Sequence, residues 1–195
     1  MGAIVRREEQ QLAVEKAHDQ NQYLTFQVGG EKFALAILGI KEIIEYHNLT
    51  TVPMMPAFVR GVINLRGRVV PVVDLAARFG RVSSAVTNRT CIVIIEAKAE
   101  GEQQDIGVVV DLVNAVVEIP ATEIEPAPSF GANIRADFIA GMGKVADRFV
   151  IILSMDKVLS LEDLALLERL DESAAGERAS PNAATPASEA QAARR

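Results

Sequence analysis

From Gln22 the chain alternates: Leu24, Phe26 and Val28 fall on one face, and Tyr23, Thr25 and Gln27 on the other. A period of two predicts a half-buried strand. Gly29-Gly30 follows, a two-residue turn of the kind hairpins prefer. Phe33, Leu35 and Ile37 then continue the buried face. A second pattern runs from Gly61 to Leu75, G-V-I-N-L-R-G-R-V-V-P-V-V-D-L. Branched aliphatic residues flank Arg66-Gly67, and Asn64 enters the turn, so a strand, turn and strand are predicted. Val69-Val70-Pro71-Val72-Val73 does not alternate, which predicts a strand covered on both faces. Pro71 cannot donate to a ladder, and this places it at an edge or a bulge. Thr90–Glu96 and Ile106–Val113 predict another hairpin, joined by the polar 97–105 segment read as a surface connection.

The pattern repeats. The text of 60–75 lines up with that of 140–155: Gly61 falls on Gly141, Arg68 on Arg148, and Val69-Val70 on Phe149-Val150, a constant spacing of 80 residues. Each copy follows its own upstream hairpin, which suggests two related β lobes rather than one large sheet. Helices are short or terminal. Residues 74–79 make one or two turns stopped by Gly80. Ser160-Leu161-Glu162-Asp163 is a variant capping box opening a helix to about Leu170, with Leu161, Leu164, Leu167 and Leu170 on one stripe. Residues 1–20 read as a mobile extension, and 171–195, with Pro181 and Pro186 and no periodicity, as a disordered tail.

Composition narrows the chemistry. At 195 residues the chain can bury a proper core, and with few aromatics that core is aliphatic. A net charge of -6 argues against nucleic acid as the main partner. The local patch of Arg60, Arg66 and Arg68 has only Phe58 nearby, short of the stacking aromatics that single-strand binders use. The single cysteine, Cys91, lies in an apolar run and reads as a core thiol, permitting no internal disulfide. No signal peptide and no apolar stretch of about 20 residues is visible, so a cytoplasmic protein without membrane insertion is expected. Met1-Gly2 opens a lipidation pattern, but Arg6 stands where a hydroxyl residue is needed. His18 and His47 read as surface residues, and no metal or cofactor is expected. Gly141-Met142-Gly143-Lys144-Val145 superficially resembles a phosphate loop but lacks its ending and its helix, so tight β turns are the better account. No catalytic set emerges, and no enzyme is expected.

The text of 61–80, G-V-I-N-L-R-G-R-V-V-P-V-V-D-L-A-A-R-F-G, preceded by 52–60, resembles the signature of the CheW family of bacterial chemotaxis adaptors. Residues 22–37, 40–46, 106–119 and 138–153 resemble its other strands, so the likeness covers about 21–170. It implies a mainly β fold of two five-stranded barrels packed around a shared apolar interior, with a few short helices and one C-terminal helix. It also implies a role without turnover: coupling the cytoplasmic tip of methyl-accepting chemoreceptors to the regulatory domain of the histidine kinase CheA. A helical receptor tip suits a groove between two aliphatic lobes.

Carried over by the resemblance, the partner-facing positions are Ile40, Glu42, Gly61, Asn64, Arg66 and Gly67. Ile40 offers an apolar contact at the groove or serves the core. Glu42 is the expected ion-pair partner of Arg66, while Gly61 and Gly67 act through the backbone. Three positions depart from the family's pattern: Ala36, Ala115 and Ser154 stand where acids are usual. The alternatives are a scaffold of another receptor–kinase array, for surface motility or second-messenger control, and a small barrel binding a ligand or nucleic acid.

Overall fold

The computed structural model describes residues 21–47, 49–99, 102–127 and 134–159. The expected N-terminal extension, the helix from Ser160, the C-terminal tail and His18 lie outside the described residues. Within them the strands are β1 (Gln22–Val28), β2 (Glu31–Ala36), β3 (Ile40–Glu45), β4 (Val59–Leu65), β5 (Arg68–Asp74), β6 (Cys91–Ala99), β7 (Glu102–Val110), β8 (Leu112–Glu118), β9 (Ile124–Glu125), β10 (Ile139–Val145) and β11 (Arg148–Leu153). Two short helices, α1 (Leu75–Arg78) and α2 (Met155–Val158), follow β5 and β11.

The strands form two sheets, β8-β1-β2-β11-β10-β9 and β3-β6-β7-β5-β4. The mainly β, two-lobed expectation holds, with a correction: the lobes are sheets of six and five strands rather than closed five-stranded barrels. The sixth strand, β9, is two residues long and covers the outer edge of β10. In the other sheet Thr50 plays the same part, making a single bridge to Val62 on the edge of β4.

The two copies are not one lobe each. The first runs β1 to β5 and the second β6 to β11, yet β1–β2 pairs with β8 and β11, and β6–β7 with β3 and β5. Each copy therefore lends its first hairpin to the other copy's lobe. Register makes the equivalence tight. Val72 faces Gly107 and Ile152 faces Ala34 across parallel pairs, 80 residues apart on one side of each pair. A one-residue bulge follows Ile40 in β3 and Val113 in β8 at matching places. Phe58 O accepts from Asp74 N at 2.8 Å, and Phe138 O from Ser154 N at 2.9 Å, again at the 80-residue spacing.

This exchange explains the apolar runs. Val93, Ile95, Ile106, Val108 and Val110 join Leu24, Phe26, Phe33 and Leu35 in one core between the lobes. The opposite faces of the same hairpins fill two smaller cores: Ile92 and Ile94 with Ile63, Val70 and Val72 in one lobe, and Ala34 with Ile119, Val150 and Ile152 in the other. A strand between two cores must be apolar on both faces. Arg78 helps hold the lobes together, its guanidinium 4.7 Å from the Phe58 ring and 5.5 Å from Phe138, while Nε donates to Val158 O at 2.6 Å.

Three local expectations are corrected. Pro71 is at neither an edge nor a bulge, because β5 is an inner strand. Val62 exchanges its backbone bonds with Thr50, so the Pro71–Val62 pair is a non-hydrogen-bonded one. The Pro71 nitrogen thus faces β7, where pairing begins only at Val72, and no ladder donor is missed. The polar 97–105 segment is mostly strand, with pairing out to Ala99–Glu102. Cys91 is half-buried, its Sγ donating to Arg89 O at 3.3 Å, and burial pushes its thiol pKa up.

Tight turns join three hairpins, each through two residues in the left-handed region. They are Gly29-Gly30, Arg66-Gly67 (φ 52° and 90°) and Ala146-Asp147 (φ 47° and 60°). That geometry matches the twist of paired strands but strains a side-chain-bearing residue such as Ala146. Gly61 is constrained differently: φ is 141°, and an added Cβ would lie 2.3 Å from the Thr50 carbonyl oxygen. Gly61→Ala is expected to lower unfolding free energy by about 3 kcal/mol through overpacking and strain. Ala146→Gly should raise it by about 0.5–1 kcal/mol, since relief of left-handed strain exceeds the added chain entropy. Urea titration of the two variants reads both signs.

Candidate functional site

The sequence β4–turn–β5 positions Arg66 at the tip of a hairpin. Asn64 Oδ1 accepts from Gly67 N at 2.9 Å, closing the turn, and the left-handed backbone at Arg66 directs the side chain off the sheet. Its Nη2 donates to Glu42 Oε2 at 2.8 Å. Glu42 belongs to β3, the opposite edge of the same five-stranded sheet. The pair thus spans the seam where the rolled sheet fails to close by backbone bonds. Arg66 is 79% exposed and Glu42 is more sheltered, so the pair contributes only about 0–1 kcal/mol to stability.

Beneath that pair lies a second group of charges. Asp105 is buried on β7, with Arg68 Nη2 2.8 Å from Oδ2 and Lys41 Nζ 2.5 Å from Oδ1; Lys41 also reaches Glu96 at 2.8 Å. Lys41 is the bulge residue of β3, which turns its side chain toward the seam. Hydrogen bonding to Asp105, and then to Glu96, raises the Lys41 pKa above its ordinary 10.5. A small pocket of about 160 Å³ at the seam is lined by Lys41, Glu42, Leu65, Arg66, Arg68 and Asp105.

The residues expected at the partner-facing site divide into three places. Glu42, Asn64, Arg66 and Gly67 meet at the seam. Ile40, two residues before Glu42 on β3, packs partly on the shared core and lines a groove between the lobes. That groove, about 360 Å³, is lined by Leu35, Ile40, Ile95, Leu153 and Met155 together with the acids Glu96 and Asp156. Gly61 is buried near the start of β4 against Thr50, so it shapes backbone rather than surface.

The three departures have distinct settings. Ala36 and Ser154 both line the groove. Asp74, the counterpart of Ser154, accepts from Ala77 N at 3.1 Å and lies 3.7 Å from Arg60 Nε. Ser154 makes no side-chain cap, and Ala140 stands where the first copy has Arg60, so both members of that pair are absent together. Ala115 is exposed on β8, its carbonyl accepting from Thr25 Oγ1 at 2.8 Å. Sequence reasoning missed Asp105, Lys41, Arg68 and Glu96 as a network. The available signal was Asp105 stepping by two onto Gly107 and Val109, on the face opposite Ile106 and Val108. His47 is exposed, with Nδ1 donating to Glu45 O at 2.9 Å. Among the described residues no group of three acids, histidines or cysteines could hold a metal, and no helix is long and apolar enough to cross a membrane.

Two β lobes with a groove of mixed polar and apolar lining between them, and ion pairs at the neighbouring seam, define a docking module. The comparisons agree. The CheW-like domain family model matches residues 22–163. Chemotaxis protein CheW of Klebsiella aerogenes is 32% identical over 152 residues, covering 78% of this chain and 89% of that protein. Its namesake in Bacillus subtilis is 33% identical over 140 residues, covering 71% and 86%. The crystal structure of the scaffolding protein TtCheW from Thermoanaerobacter tengcongensis superposes with a TM-score of 0.66 at 30% identity, covering 74% of this chain and 90% of that one. The chain belongs to the CheW family. It is a non-enzymatic chemotaxis scaffold, of the kind that couples chemoreceptors to the kinase CheA.

The raised pKa of Lys41 sets a pH test. A group whose folded pKa exceeds its unfolded one adds stability fully present below the unfolded value, here 10.5, and lost as pH rises through the folded value. The stability difference between wild type and Lys41→Met should therefore stay level from neutral pH to about 10 and shrink above it. Denaturant titrations of both proteins across that range give the profile.

Proposed function

We propose that residues 21–170 form an adaptor body that works on the cytoplasmic face of chemoreceptor arrays. The helical tip of a methyl-accepting receptor lies along the inter-lobe groove and the neighbouring seam, and the regulatory domain of a CheA-type kinase takes a second surface. The observation that carries this reading is the run along β3: Ile40 in the wall of the groove and Glu42 two residues on, held to an exposed Arg66. A helical hairpin offers apolar side chains at helical spacing, suited to a groove walled by leucine and isoleucine, with polar residues beside them for a fixed guanidinium. In this reading Ile40 supplies apolar contact, while Glu42 fixes the pose of Arg66. Asn64 and Gly67 hold the turn, and Gly61 holds the strand that carries it. No cofactor, metal or nucleic acid takes part.

An exposed arginine worth little to the fold can be worth much at an interface, where truncating an anchor costs about 2 kcal/mol or more. Arg66→Ala is expected to weaken receptor-tip binding by about thirtyfold, to leave binding to the kinase regulatory domain within about twofold, and to leave the thermal melt nearly unmoved. Calorimetric titration with each purified partner reads the split. Unchanged receptor-tip binding by the folded variant would contradict this placement of Arg66. Failure of the wild type to bind either partner would contradict the adaptor assignment of the surfaces.

A further inference from the structure

The 80-residue repeat allows each lobe to serve as a template for the other, and at the seam the two copies differ at nearly every charged position. By register, Glu42 corresponds to Ala115 and the bulge residue Lys41 to Asn114. Asp105, two residues before Gly107, corresponds to Lys32, two before Ala34. Glu96, facing Asp105, corresponds to Gln27, facing Lys32. At the 80-residue spacing Arg66 becomes Ala146 and Arg68 stays arginine, as Arg148. The first seam holds Lys41, Arg66 and Arg68 against Glu42, Glu96 and Asp105, and each of these cations has an acid partner. The corresponding places on the second seam hold Lys32 and Arg148 with no acid among them.

A pocket of about 230 Å³ opens there, lined by Thr25, Lys32, Val145, Ala146, Arg148 and Val150. Four of these, Lys32, Val145, Ala146 and Arg148, are the counterparts of Asp105, Leu65, Arg66 and Arg68 in the pocket of the first seam. Where the first seam is spanned by an arginine and an acid, the second has two alanines. Lys32 and Arg148 are exposed and make no ion pair among the described residues, and Val145 and Val150 give the pocket an apolar wall. No acid lines the pocket, and Asp147 in the same turn reaches Lys144 at 3.4 Å, so the two like charges repel each other and a carboxylate entering between them is favoured.

We infer that this second seam is a docking pocket for a carboxylate side chain on an otherwise apolar segment of the kinase regulatory domain, the incoming acid bonding Arg148 as Asp105 bonds Arg68 in the first seam. The chemistry of the occupant is read from the internal template: the arginine that Arg148 matches is bonded to a carboxylate in the other copy. The choice of partner rests on the proposed function, in which the receptor tip occupies the groove and the first seam, leaving the kinase for a separate surface. The apolar wall favours a side chain carried on a protein segment over a free hydrated ion.

The test uses the full chain, the purified kinase regulatory domain and a receptor tip. Lys32→Glu with Arg148→Glu reverses the rim. Ala115→Glu with Ala146→Arg instead builds the first seam's clasp into the second, on a turn whose backbone at Ala146 (φ 47°) matches that at Arg66 (φ 52°). Both double variants should weaken kinase-domain binding by about tenfold or more while receptor-tip binding stays within about twofold, and the wild-type affinity should fall with added salt. Kinase-domain binding retained by both folded double variants would overturn the inference while leaving the adaptor reading intact. Loss of receptor-tip binding alone would overturn it too, by moving the receptor to this seam. A wild type that binds no kinase domain would sink the kinase half of the proposed function and this inference with it. Capture of free glutamate or inorganic phosphate by the wild type, lost in the rim variant with kinase binding untouched, would make the pocket a small-anion site and refute protein docking.

Discussion

Two hairpins, β1–β2 and β6–β7, each lie between a lobe core and the core shared by both lobes, so the stretches packed between those cores, Ile92–Ile95 and Ile106–Val110 among them, are apolar on both faces. That requirement follows from the exchange of hairpins between copies, and it dictates where polar groups can go. Residues such as Ile92 and Ile94 fill one core while Val93 and Ile95 fill another, and the backbone groups between them are satisfied by neighbouring strands on either side. Burial at roughly 1.5–3 kcal/mol for each such side chain makes the shared core the dominant favourable contribution. Charges are left to the strand ends, the turns and the seams. The same exchange ties the lobes together through the chain, so the groove between them keeps its walls without a disulfide.

The seams follow from rolling a sheet that does not close. Backbone donors and acceptors at an open edge attract further strands, and side chains can occupy the gap instead. In the first lobe Arg66 reaches across to Glu42, over a buried acid that holds Lys41 and Arg68. Little stability comes from the outer pair, since Arg66 is mostly in solvent, but its position is fixed by a strained two-residue turn and by Asn64. A fixed, exposed guanidinium with a carboxylate beside it adds little to the fold, and in the proposed function it serves a partner. In the second lobe the scaffold is kept and the clasp is gone, so equivalent strands present a different charge. One scaffold repeated twice can thus offer two unlike surfaces, as an adaptor between different proteins requires.

Much of the fold was legible in residues alone. Alternation at Leu24, Phe26 and Val28 marked β1, and the unbroken run at Val69–Val73 marked a strand buried on both sides. The 80-residue spacing located the duplication. The exchange of hairpins was not legible, because alternation shows which face is buried but not which partner buries it. The 97–105 segment was misread for a related reason: polar composition argued for a surface connection, whereas Asp105 is buried with its charge answered by Lys41 from β3 and Arg68 from β5, residues distant along the chain. The missing donor of Pro71 argues for an edge or a bulge, although its nitrogen faces a stretch of β7 where no ladder to β5 has begun. At the candidate site, the Glu42–Arg66 pair came from family resemblance rather than spacing, and its geometry is as expected. The asymmetry between the seams needed register, since Ala115 and Ala146 are unremarkable as isolated residues.

As a scaffold of this family, the chain should transmit receptor state to a kinase by holding both at once. The autophosphorylation rate of a CheA-type kinase on receptor assemblies, with and without the purified chain, reads this coupling. A receptor-dependent change in rate is expected only when the chain is present. A kinase rate that responds to receptor equally well without the chain, or not at all with it across matched partners, would rule the coupling out.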